Sequence, residues 1–427
     1  MDDELKIGNP DNLNFLNDII LGMGDSDTAW LTYLQLNDKG ILKKMLDNYI
    51  LILQNHPLFK GKIRYNKFTN KVTKVAKVLD LYAGPWTDAD TRAFRQWINQ
   101  NFKVDASNDL LNEAVMRVAE LNPYHPIVDW ILSLEWDQKP RLGSWLLDYM
   151  GVVPTDEKYK TYVQNVGMLL LGAAVKRVFM PGCKYDYVVL LEGSQGTKKS
   201  QAIQVLAYNP EWYVSISIPK VADKDIYLVM QGKWIVEFPE MYSFYRSENE
   251  AIKQFITTQV DTFRAPYGRH AQDYPRQCVF IATSNQYEHH DDETGYRRFL
   301  PIRIENEPKV DELYQVIPQL YAEAYFYFKN GEFDVLYLED SDSIEVALQE
   351  QELAMYDDIW ADDIVRYLNG RTQITIKELM VNALGFTEKK DQTKTNQMRV
   401  GKILRLLGFR KTVVRSQDGL TKIWIKK

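Results

Sequence analysis

Three apolar runs in the middle of the chain predict buried strands, because each is too short for a helix and leads into polar or acidic residues. They cover Tyr187–Leu191, Lys233–Glu237 and Cys278–Thr283. Apolar residues at helical spacing surround them, and the longest helix is predicted over Tyr159–Phe179. Strands that alternate with helices in this way indicate a domain of the α/β class.

Before this region the pattern is mainly helical, apart from one basic segment. Lys60–Lys77 carries seven Lys or Arg residues and no acid, and its cations interleave with apolar residues at a period close to two. This alternation predicts a hairpin with cations on one side and apolar groups on the other. Two interpretations stay open: a solvated sheet face, or a surface for single-stranded nucleic acid that uses these cations with Tyr65 and Phe68.

Beyond Trp360 the pattern predicts two short helices, a basic helix over Thr393–Leu407 and a hairpin with an Asp-Gly turn. This order is the outline of a winged helix. The basic helix is the candidate recognition helix, and it carries Arg399, Lys402 and Arg405. DNA binding by this region is expected, and docking to another protein is the alternative.

The most specific chemical pattern lies between the first apolar strand and the helix after it. Gly193–Ser200 fits G-x-x-x-x-G-K-[ST], the loop whose backbone N–H groups cradle phosphates, at every fixed position but one. Lys199 is expected to reach the β- and γ-phosphates of ATP, and Ser200 to hold Mg²⁺. The residues predicted to contact the nucleotide are Gly193, Ser194, Gln195, Gly196, Thr197, Lys198, Lys199, Ser200 and Gln201.

The exception is Lys198, which occupies the place of the second glycine. Glycine serves at such a place because φ is positive or because the backbone lies against the ligand. A lysine is therefore expected to carry about 1 kcal/mol of strain. Lys199 is the predicted phosphate lysine, since it alone directly precedes the hydroxyl residue Ser200.

Acidic and amide side chains follow the other two predicted strands. Glu237 ends the second strand, and Glu240 comes three residues later. In a P-loop ATPase the strand beside the phosphate loop presents one acid to the magnesium shell and another to the attacking water. Glu237, as a magnesium ligand, and Glu240 can fill these roles, although the sequence leaves open which acid is the base. Asn285, at the tip of the third strand, can orient the water or sense the γ-phosphate.

The composition of the chain narrows the expected cellular compartment and the expected binding partners. The 427 residues carry a net charge of −6, with 45% hydrophobic residues, as in ordinary soluble proteins. No apolar run approaches the roughly 20 residues of a membrane span, and the two cysteines, Cys183 and Cys278, suit a reducing compartment, so a cytoplasmic protein is expected. Residues 389–427 hold twelve Lys or Arg against two acids, and such basic regions on an acidic body point to nucleic acid.

The motifs occur in an order that resembles the virulence-associated protein E family. After the phosphate loop come Trp-Ile-Val-Glu from Trp234, Arg-Ala-Pro-Tyr-Gly-Arg from Arg264, Ala-Thr-Ser-Asn from Ala282 and Thr-Gly-Tyr-Arg-Arg-Phe from Thr294. The family comprises P-loop ATPases of phages and genomic islands that are related to superfamily 3 helicases. The family also has glycine where this chain has Lys198.

The resemblance implies an AAA+-like ATPase that assembles on DNA as a ring, usually a homo-hexamer. It places Asn285 at the sensor position and Glu240 at the second acid of a Glu-x-x-Glu motif. It makes Arg297 or Arg298 the arginine finger that reaches the ATP of a neighbouring subunit. The loop that touches DNA would contain Arg264, Tyr267, Arg269 and His270.

The chain is therefore expected to be an ATP-dependent DNA helicase or translocase in the replication of a phage or mobile genetic element, acting in a bacterial host with other replication proteins. The alternatives are an ATP-switched origin-binding initiator without processive unwinding, and a DNA-binding interference or regulatory protein that does not hydrolyse ATP. The predicted domains are a mainly helical N-terminal domain with the basic hairpin (1–125), an AAA+-like P-loop ATPase domain with a helical lead-in (126–335), an acidic linker helix (336–359) and a winged-helix-like basic domain (360–427).

Overall fold

The computed structural model describes residues 28–217, 225–240, 249–264, 270–285, 298–354, 360–388, 390–407, 409–416 and 419–426. The chain divides into two compact units, Met1–Ser133 and Leu134–Lys427. Within the described ranges, no helix has both the length and the apolar character that crossing a bilayer requires.

The first unit combines helices with a small mixed sheet. Its helices are α1 (Leu46–Asn55), α2 (Asp88–Phe102), α3 (Asn108–Leu121) and α4 (Pro126–Leu132). Its strands are β1 (Ile63–Asn66), β2 (Lys71–Lys74), β3 (Gly84–Pro85) and β4 (Pro123–Tyr124), arranged in the order β3-β2-β1-β4. β1 and β2 are antiparallel, which confirms the predicted hairpin, whereas β4 runs parallel to β1.

The basic hairpin does not separate cations from apolar groups as the alternation predicts. Lys74 is buried, and its Nζ lies 2.6 Å from a carboxylate oxygen of Asp90 in the first turn of α2. Phe68 is also buried, with 3% of its surface exposed, and Tyr65 packs against the hydrophobic core. A lysine can occupy the inner face because a buried carboxylate balances its charge. Neither aromatic ring is thus placed on the outer face of the sheet.

The second unit is built on a five-stranded sheet. Between Val188 and Arg303 the second unit has seven strands among the described residues, of which five form this sheet. They are β5 (Val188–Glu192), β6 (Tyr213–Ser215), β7 (Ile235–Phe238), β8 (Val260–Phe263), β9 (Gln272–Pro275), β10 (Val279–Ser284) and β11 (Phe299–Arg303). The large sheet has the order β11-β5-β10-β7-β6, and each neighbouring pair in it is parallel. β5, β7 and β10 are buried throughout, as expected of parallel strands covered on both faces.

The order of these strands corrects one expectation. The strand that carries Glu237 does not lie beside the phosphate-loop strand, because β10 lies between them and pairs with both. Chain order does not fix the order of parallel strands, since a crossover connection can leave room for a strand that comes later. As a result, Asn285, which follows β10, lies between the loop and the Glu237 strand.

Seven helices pack around or beside this sheet. They are α5 (Trp145–Tyr149), α6 (Glu157–Phe179), α7 (Lys199–Leu206), α8 (Asp225–Met230), α9 (Asn249–Thr257), α10 (Val310–Lys329) and α11 (Ser341–Ala354) among the described residues. The long α6 is buried along most of its length. Its Tyr162 hydroxyl donates to the Pro301 carbonyl at 3.0 Å, and Trp234 donates to the Ala174 carbonyl at 2.9 Å. These bonds attach α6 to β11 and to the start of β7.

The segment predicted to be an acidic linker contains a helix that packs on the sheet domain. Gln351 of α11 donates to the Phe299 carbonyl at 2.7 Å, and Asn165 of α6 donates to the Ser343 hydroxyl at 2.9 Å. Val346 and Ala347 are buried. The acids of the predicted linker helix thus share α11 with a buried stripe that fixes the helix in place.

A separate antiparallel hairpin, β8 with β9, stands outside the large sheet. Its base is held by Arg276, whose guanidinium donates to both carboxylate oxygens of Asp261 at 2.8 Å. Both side chains are buried, and the guanidinium lies 4.5 Å from the centre of the Phe255 ring. Two parallel hydrogen bonds fix orientation as well as distance, so the direction of the hairpin is well defined.

Beyond Trp360 the described elements follow the predicted order. They are α12 (Ala361–Leu368), β12 (Gln373–Ile374), α13 (Ile376–Asn382), α14 (Lys394–Leu406), β13 (Phe409–Ser416) and β14 (Gly419–Lys426). The strands form an antiparallel sheet in the order β12-β14-β13. A small core formed by Ile364, Leu379, Val400 and Trp424 joins the helices to the sheet.

Candidate nucleotide-binding site

The glycine loop joins the end of a buried strand to the first turn of a helix. β5 ends at Glu192, the loop runs from Gly193, and α7 begins at Lys199. Backbone N–H groups at a helix N-terminus have no partners within the helix, and the helix dipole is positive there. Ser194, Gln195, Gly196, Lys198, Ser200 and Gln201 are exposed along this segment. A phosphate can therefore approach the loop from solvent.

Two glycines are required by the geometry of the loop. Gly196 has a φ of 83°, a backbone conformation that residues with a Cβ rarely adopt. At Gly193 a Cβ would lie 2.5 Å from the carbonyl oxygen of Ile304, which follows β11. The first glycine is therefore needed because the neighbouring strand runs against it.

Lys198 adopts the left-handed conformation expected at its position, with a φ of 56°. Its ammonium forms an ion pair with Glu307, which raises the pKa of Lys198. Both side chains are about half exposed, so the ion pair contributes little to stability. The backbone strain is thus not offset by a strong contact.

Lys198→Gly is expected to raise the free energy of unfolding by roughly 0.5–1 kcal/mol, because glycine adopts a positive φ without strain. Urea denaturation measures this change, and Glu307→Gln, which removes the ion pair but keeps the backbone, is the matched control. A loss of stability in Lys198→Gly alone would show that the side chain contributes more than the strain costs. ATP turnover of the glycine variant should be no lower than that of the wild type; lower turnover would make Lys198 a second phosphate contact.

The Lys199 side chain turns back over its own loop. Its Nζ donates to the carbonyls of Gly193 and Ser194, each at 2.9 Å, and lies 3.1 Å from the Thr197 hydroxyl. Only 5% of the residue is exposed, and this burial lowers the pKa of Lys199. These contacts hold the buried ammonium close to the N-terminus of α7, where a bound anion would be a further acceptor. Phosphate oxygens are suitable acceptors, because Lys is a compact cation.

A fully buried carboxylate, Glu237, faces the loop from β7. Its Oε1 accepts from the Ser200 hydroxyl at 2.6 Å and from the Thr283 hydroxyl at 3.1 Å. Its Oε2 accepts from the Tyr213 hydroxyl. Burial and this bond to Glu237 both raise the pKa of Tyr213, so the phenol stays protonated and donates. The structure thus brings Ser200 and Glu237 together.

Two members of this arrangement were missed by the sequence reasoning. Thr283 lies within the Ala-Thr-Ser-Asn motif, but no pattern marks it as a partner of Glu237. Tyr213 begins β6, and its role follows only from the pairing of β6 with β7, in which Ser215 lies opposite Glu237. Strand pairing of this kind is not encoded in local spacing.

The other predicted catalytic residues fall into two places: Asn285 and Glu240 follow the carboxyl ends of strands, and Arg298 lies at the opposite end of the sheet. Asn285 is half-buried directly after β10, and Glu240 is exposed two residues beyond β7, with a φ of 49°. Arg298 precedes β11, which is parallel to β5, so it lies at the opposite end of the sheet. At about 3.3 Å per residue, β5 separates Arg298 from the loop by roughly 17 Å. Arg297 lies outside the described residues.

Arg298 lines a cleft of about 500 Å³ together with Lys176, Lys184 and Tyr187. Lys176 is engaged, because its Nζ donates to the carbonyls of Phe333 and Asp334, each at 2.7 Å. Arg298 is only half-buried. Arg298 therefore lies at this end of the sheet, away from the glycine loop of the same chain.

The predicted DNA-contact residues fall into two places. Arg264 and His270 are exposed at the described ends of the β8–β9 turn, whereas Tyr267 and Arg269 lie outside the described residues. Arg399 of α14 is half-buried, with its guanidinium 3.8 Å from the centre of the Trp360 ring. Lys402 and Arg405 lie on α14, but their side chains are outside the described part of the structure.

Glu192, the last residue of β5, is a buried acid that sequence analysis did not single out. It lies opposite Arg303 in the β5–β11 register, and Arg303 forms an ion pair of 2.8 Å with Glu350 of α11. Burial, assisted by Glu350, raises the pKa of Glu192 to about 8, although Arg303 acts against the rise. A protonated carboxyl group therefore adjoins the start of the phosphate loop at neutral pH.

Stability is expected to decline as the pH rises from about 4.5 toward 8, because Glu192 must ionise while buried. Each pKa unit corresponds to about 1.4 kcal/mol, so Glu192→Gln should remove a decline of a few kcal/mol. Urea denaturation at pH 6 and pH 9 tests this, with the exposed Glu305→Gln as control. An equal decline in the Glu192→Gln variant would mean that this carboxyl does not titrate in this range.

Together, fold and site define a mixed α/β protein whose parallel sheet carries a glycine loop and a buried carboxylate at the carboxyl ends of its strands. The chain belongs to the Virulence-associated protein E-like domain family, whose model matches residues 131–357, more than half of the chain. This match confirms the family that the order of motifs indicates.

Solved structures that match the chain include the apo structure of the NrS-1 C terminal region. It shares 15% identity at a TM-score of 0.39 and covers 86% of this chain and 96% of that chain. The A form apo structure of the same region gives 15% identity and a TM-score of 0.37, with the same coverage. No curated protein sequence matches the chain.

Proposed function

We propose that this protein is an AAA+-like P-loop ATPase that drives a DNA helicase or translocase in the replication of a phage or mobile genetic element. One observation carries the proposal: the Ser200 hydroxyl, directly after the buried Lys199, is hydrogen-bonded at 2.6 Å to the buried Glu237 carboxylate. A P-loop ATPase requires this pairing of a hydroxyl with an acid on a nearby strand, because both take part in holding Mg²⁺. Membership in the family supports the same proposal.

Ser200 and Glu237 fit Mg²⁺ because both offer hard oxygen donors at a site open to solvent through the exposed Ser200. Mg²⁺, when bound, neutralises charge on the β- and γ-phosphates of ATP. Thr283 and Tyr213 hold the Glu237 carboxylate in one orientation by donating to its two oxygens. The Lys199 ammonium then exchanges loop carbonyls for phosphate oxygens.

The proposed reaction is hydrolysis of the terminal phosphoanhydride. A water oxygen forms a bond to the γ-phosphorus while the bond to the bridging oxygen breaks, so ADP and phosphate are released. Asn285 orients the water, and either Glu240 or Glu237 accepts its proton. The position of Asn285 between the loop and the Glu237 strand supports this role.

We further propose that hydrolysis needs a ring of identical subunits, most simply a hexamer. Arg298 lies at the end of the sheet opposite the glycine loop of its own chain, which supports a role on a different subunit. An arginine finger stabilises the charge that develops on the transferring phosphoryl group. Hydrolysis in such a ring depends on assembly.

DNA contacts are proposed at two places in the second unit. One is the β8–β9 turn, where Arg264 and His270 are exposed and the base of the hairpin is held by Arg276; Tyr267 and Arg269, which lie outside the described residues, are proposed as contacts from the sequence alone. The order α12, β12, α13, α14, β13, β14 supports a winged helix, with α14 as recognition helix carrying Arg399, Lys402 and Arg405.

An ATP-switched initiator without processive unwinding is the second candidate. The strained Lys198 favours it, because this side chain replaces the glycine of an ordinary phosphate loop. The two functions differ in whether ATP turnover yields displaced strands. Release of a fluorescent strand from a forked duplex is measured with ATP: a helicase releases the strand, and an initiator without processive unwinding does not.

The ATPase assay tests the proposal most directly. Hydrolysis is measured with and without single-stranded DNA, alongside the sedimentation mass with a non-hydrolysable ATP analogue. We expect DNA-stimulated turnover and a mass near that of a ring. Absence of ATP binding and turnover under all of these conditions would overturn the proposal.

A further inference from the structure

The outer face of the small sheet in the first unit combines cations with an aromatic ring. Side chains alternate across a strand, and the inner face holds Ile63, Tyr65 and Val72 against the core. The opposite positions are Arg64 on β1 and Lys71 and Thr73 on β2, with Tyr124 on β4. We call these four residues the outer sheet face.

Arg64 and Tyr124 form a pair on this face that hydrogen bonds hold in position. The Arg64 guanidinium lies 4.8 Å from the centre of the Tyr124 ring and donates to the Pro123 carbonyl at 2.9 Å. Asn66 donates to the Tyr124 hydroxyl at 3.1 Å, which fixes the ring from its other end. Both Arg64 and Tyr124 are only half-buried. Aromatic rings and guanidinium planes are the surfaces on which unpaired bases stack.

The charge around this pair complements a phosphate backbone. Lys71 on the face, Lys67 in the hairpin turn and Lys60 just before β1 are exposed. The whole stretch of residues 60–77 contains no acid in a chain of net charge −6. A cationic strip beside a stacking surface is the combination that binds single strands without sequence preference.

We propose that the outer sheet face binds single-stranded DNA, as a contact separate from those of the ATPase unit. The choice of DNA rests on the proposed function. Bases stack on the Arg64–Tyr124 pair while Lys71 and the neighbouring lysines contact phosphates. Phe68 and Tyr65, the aromatic residues that the sequence pattern suggested for this role, are turned to the interior.

Binding of the 427-residue chain to a fluorescent oligo-dT of about 15 nucleotides, within the range of known single-strand sites, is measured. Tyr124→Leu should weaken binding roughly 10-fold by removing the stacking ring. Arg64→Ala/Lys71→Ala should weaken binding and also reduce the slope of log K against log [salt] by about 0.7, since the phosphate contact of Lys71 is lost and each such contact on a single strand contributes about 0.7. Lys39→Ala/Lys43→Ala, two exposed lysines of the same unit, is the matched control.

Two further measurements locate the site. An oligonucleotide with 5-iodo-deoxyuridine should cross-link to the peptide that contains Tyr124, also in a Lys199→Ala background, so failure of the ATPase proposal leaves this result intact. A blunt duplex should bind equally to the wild type and to Tyr124→Leu, because its bases are already stacked. Unchanged affinity in both sheet variants, cross-links confined to the second unit, or equal losses for duplex and single strand would overturn the proposal. Thermal unfolding of each variant confirms that it is folded.

Discussion

Lys199→Ala is expected to reduce ATP hydrolysis at least about 100-fold. The side chain is buried, and three oxygens of its own loop hold its ammonium beside the helix N-terminus. Removing a preorganised charge of this kind takes away stabilisation where negative charge develops, and single donors at such sites contribute about 10² to 10³ in rate. The variant should also lose the increase in melting temperature that ATP gives the wild type, because bound ligand stabilises the folded state.

The control is Lys329→Ala, an exposed lysine at the end of α10, which should keep wild-type turnover. Alanine at position 199 also removes bonds within the loop, so the melting temperature without nucleotide is measured for both variants. Full activity of a folded Lys199→Ala protein would remove the phosphate-loop assignment. Loss of hydrolysis with unchanged ATP binding would mean that Lys199 acts in the hydrolysis step and does not contribute to ATP affinity.

Arg298→Ala is expected to reduce turnover by about 10³ while ATP binding is retained. An arginine finger acts in the transition state, and its removal costs about 10³ to 10⁵ in other phosphoryl-transfer enzymes. The phosphate loop lies roughly 17 Å from Arg298 along β5, so binding by the same chain should not change. Turnover and nucleotide affinity are measured separately on the same preparation.

Mixing variants tests whether the arginine acts between subunits. Arg298→Ala subunits keep an intact phosphate loop, and Lys199→Ala subunits keep an intact arginine. Neither variant alone should hydrolyse ATP, but mixed assemblies should regain part of the activity where a Lys199→Ala subunit supplies its arginine to an Arg298→Ala neighbour. If the mixtures stay inactive although both variants co-assemble, the finger does not act in trans from this position.

Much of the candidate site could be predicted because its signals are local. A strand, a glycine loop and a helix occupy about twenty consecutive residues, so Gly193, Lys199 and Ser200 needed no knowledge of the fold. The left-handed backbone of Lys198 also follows from the pattern, since the second glycine usually occupies that place. Glu237 was found because it ends an apolar run.

The rest of the site depends on which strands become neighbours. β10 inserts between β5 and β7, which places Thr283 on Glu237 and Asn285 between the loop and the acid strand. Tyr213 reaches Glu237 only because β6 pairs with β7. Such pairings are decided by packing of the whole domain, and no spacing along the chain records them.

The outer sheet face also shows what a local sequence pattern cannot predict. The period-two pattern of Lys60–Lys77 gave the hairpin, but not the inward turn of Lys74 toward Asp90 or the burial of Phe68. The aromatic residue on the outer face, Tyr124, comes from β4, about 50 residues further along the chain. A local pattern can predict a strand, whereas the composition of its face depends on distant partners.

The parallel sheet has a consequence for the symmetry of an assembly of these subunits. The phosphate loop and Arg298 lie at opposite ends of the same strands, so a contact that joins one to the other uses different surfaces on its two subunits. In a head-to-tail assembly this contact closes as a cyclic ring or continues as a filament, whereas a two-fold dimer would make the contact twice, with the strands of its two subunits antiparallel. Every subunit in the ring would point the same way, and the two faces of the ring would differ. DNA entering its centre would therefore meet a directional track.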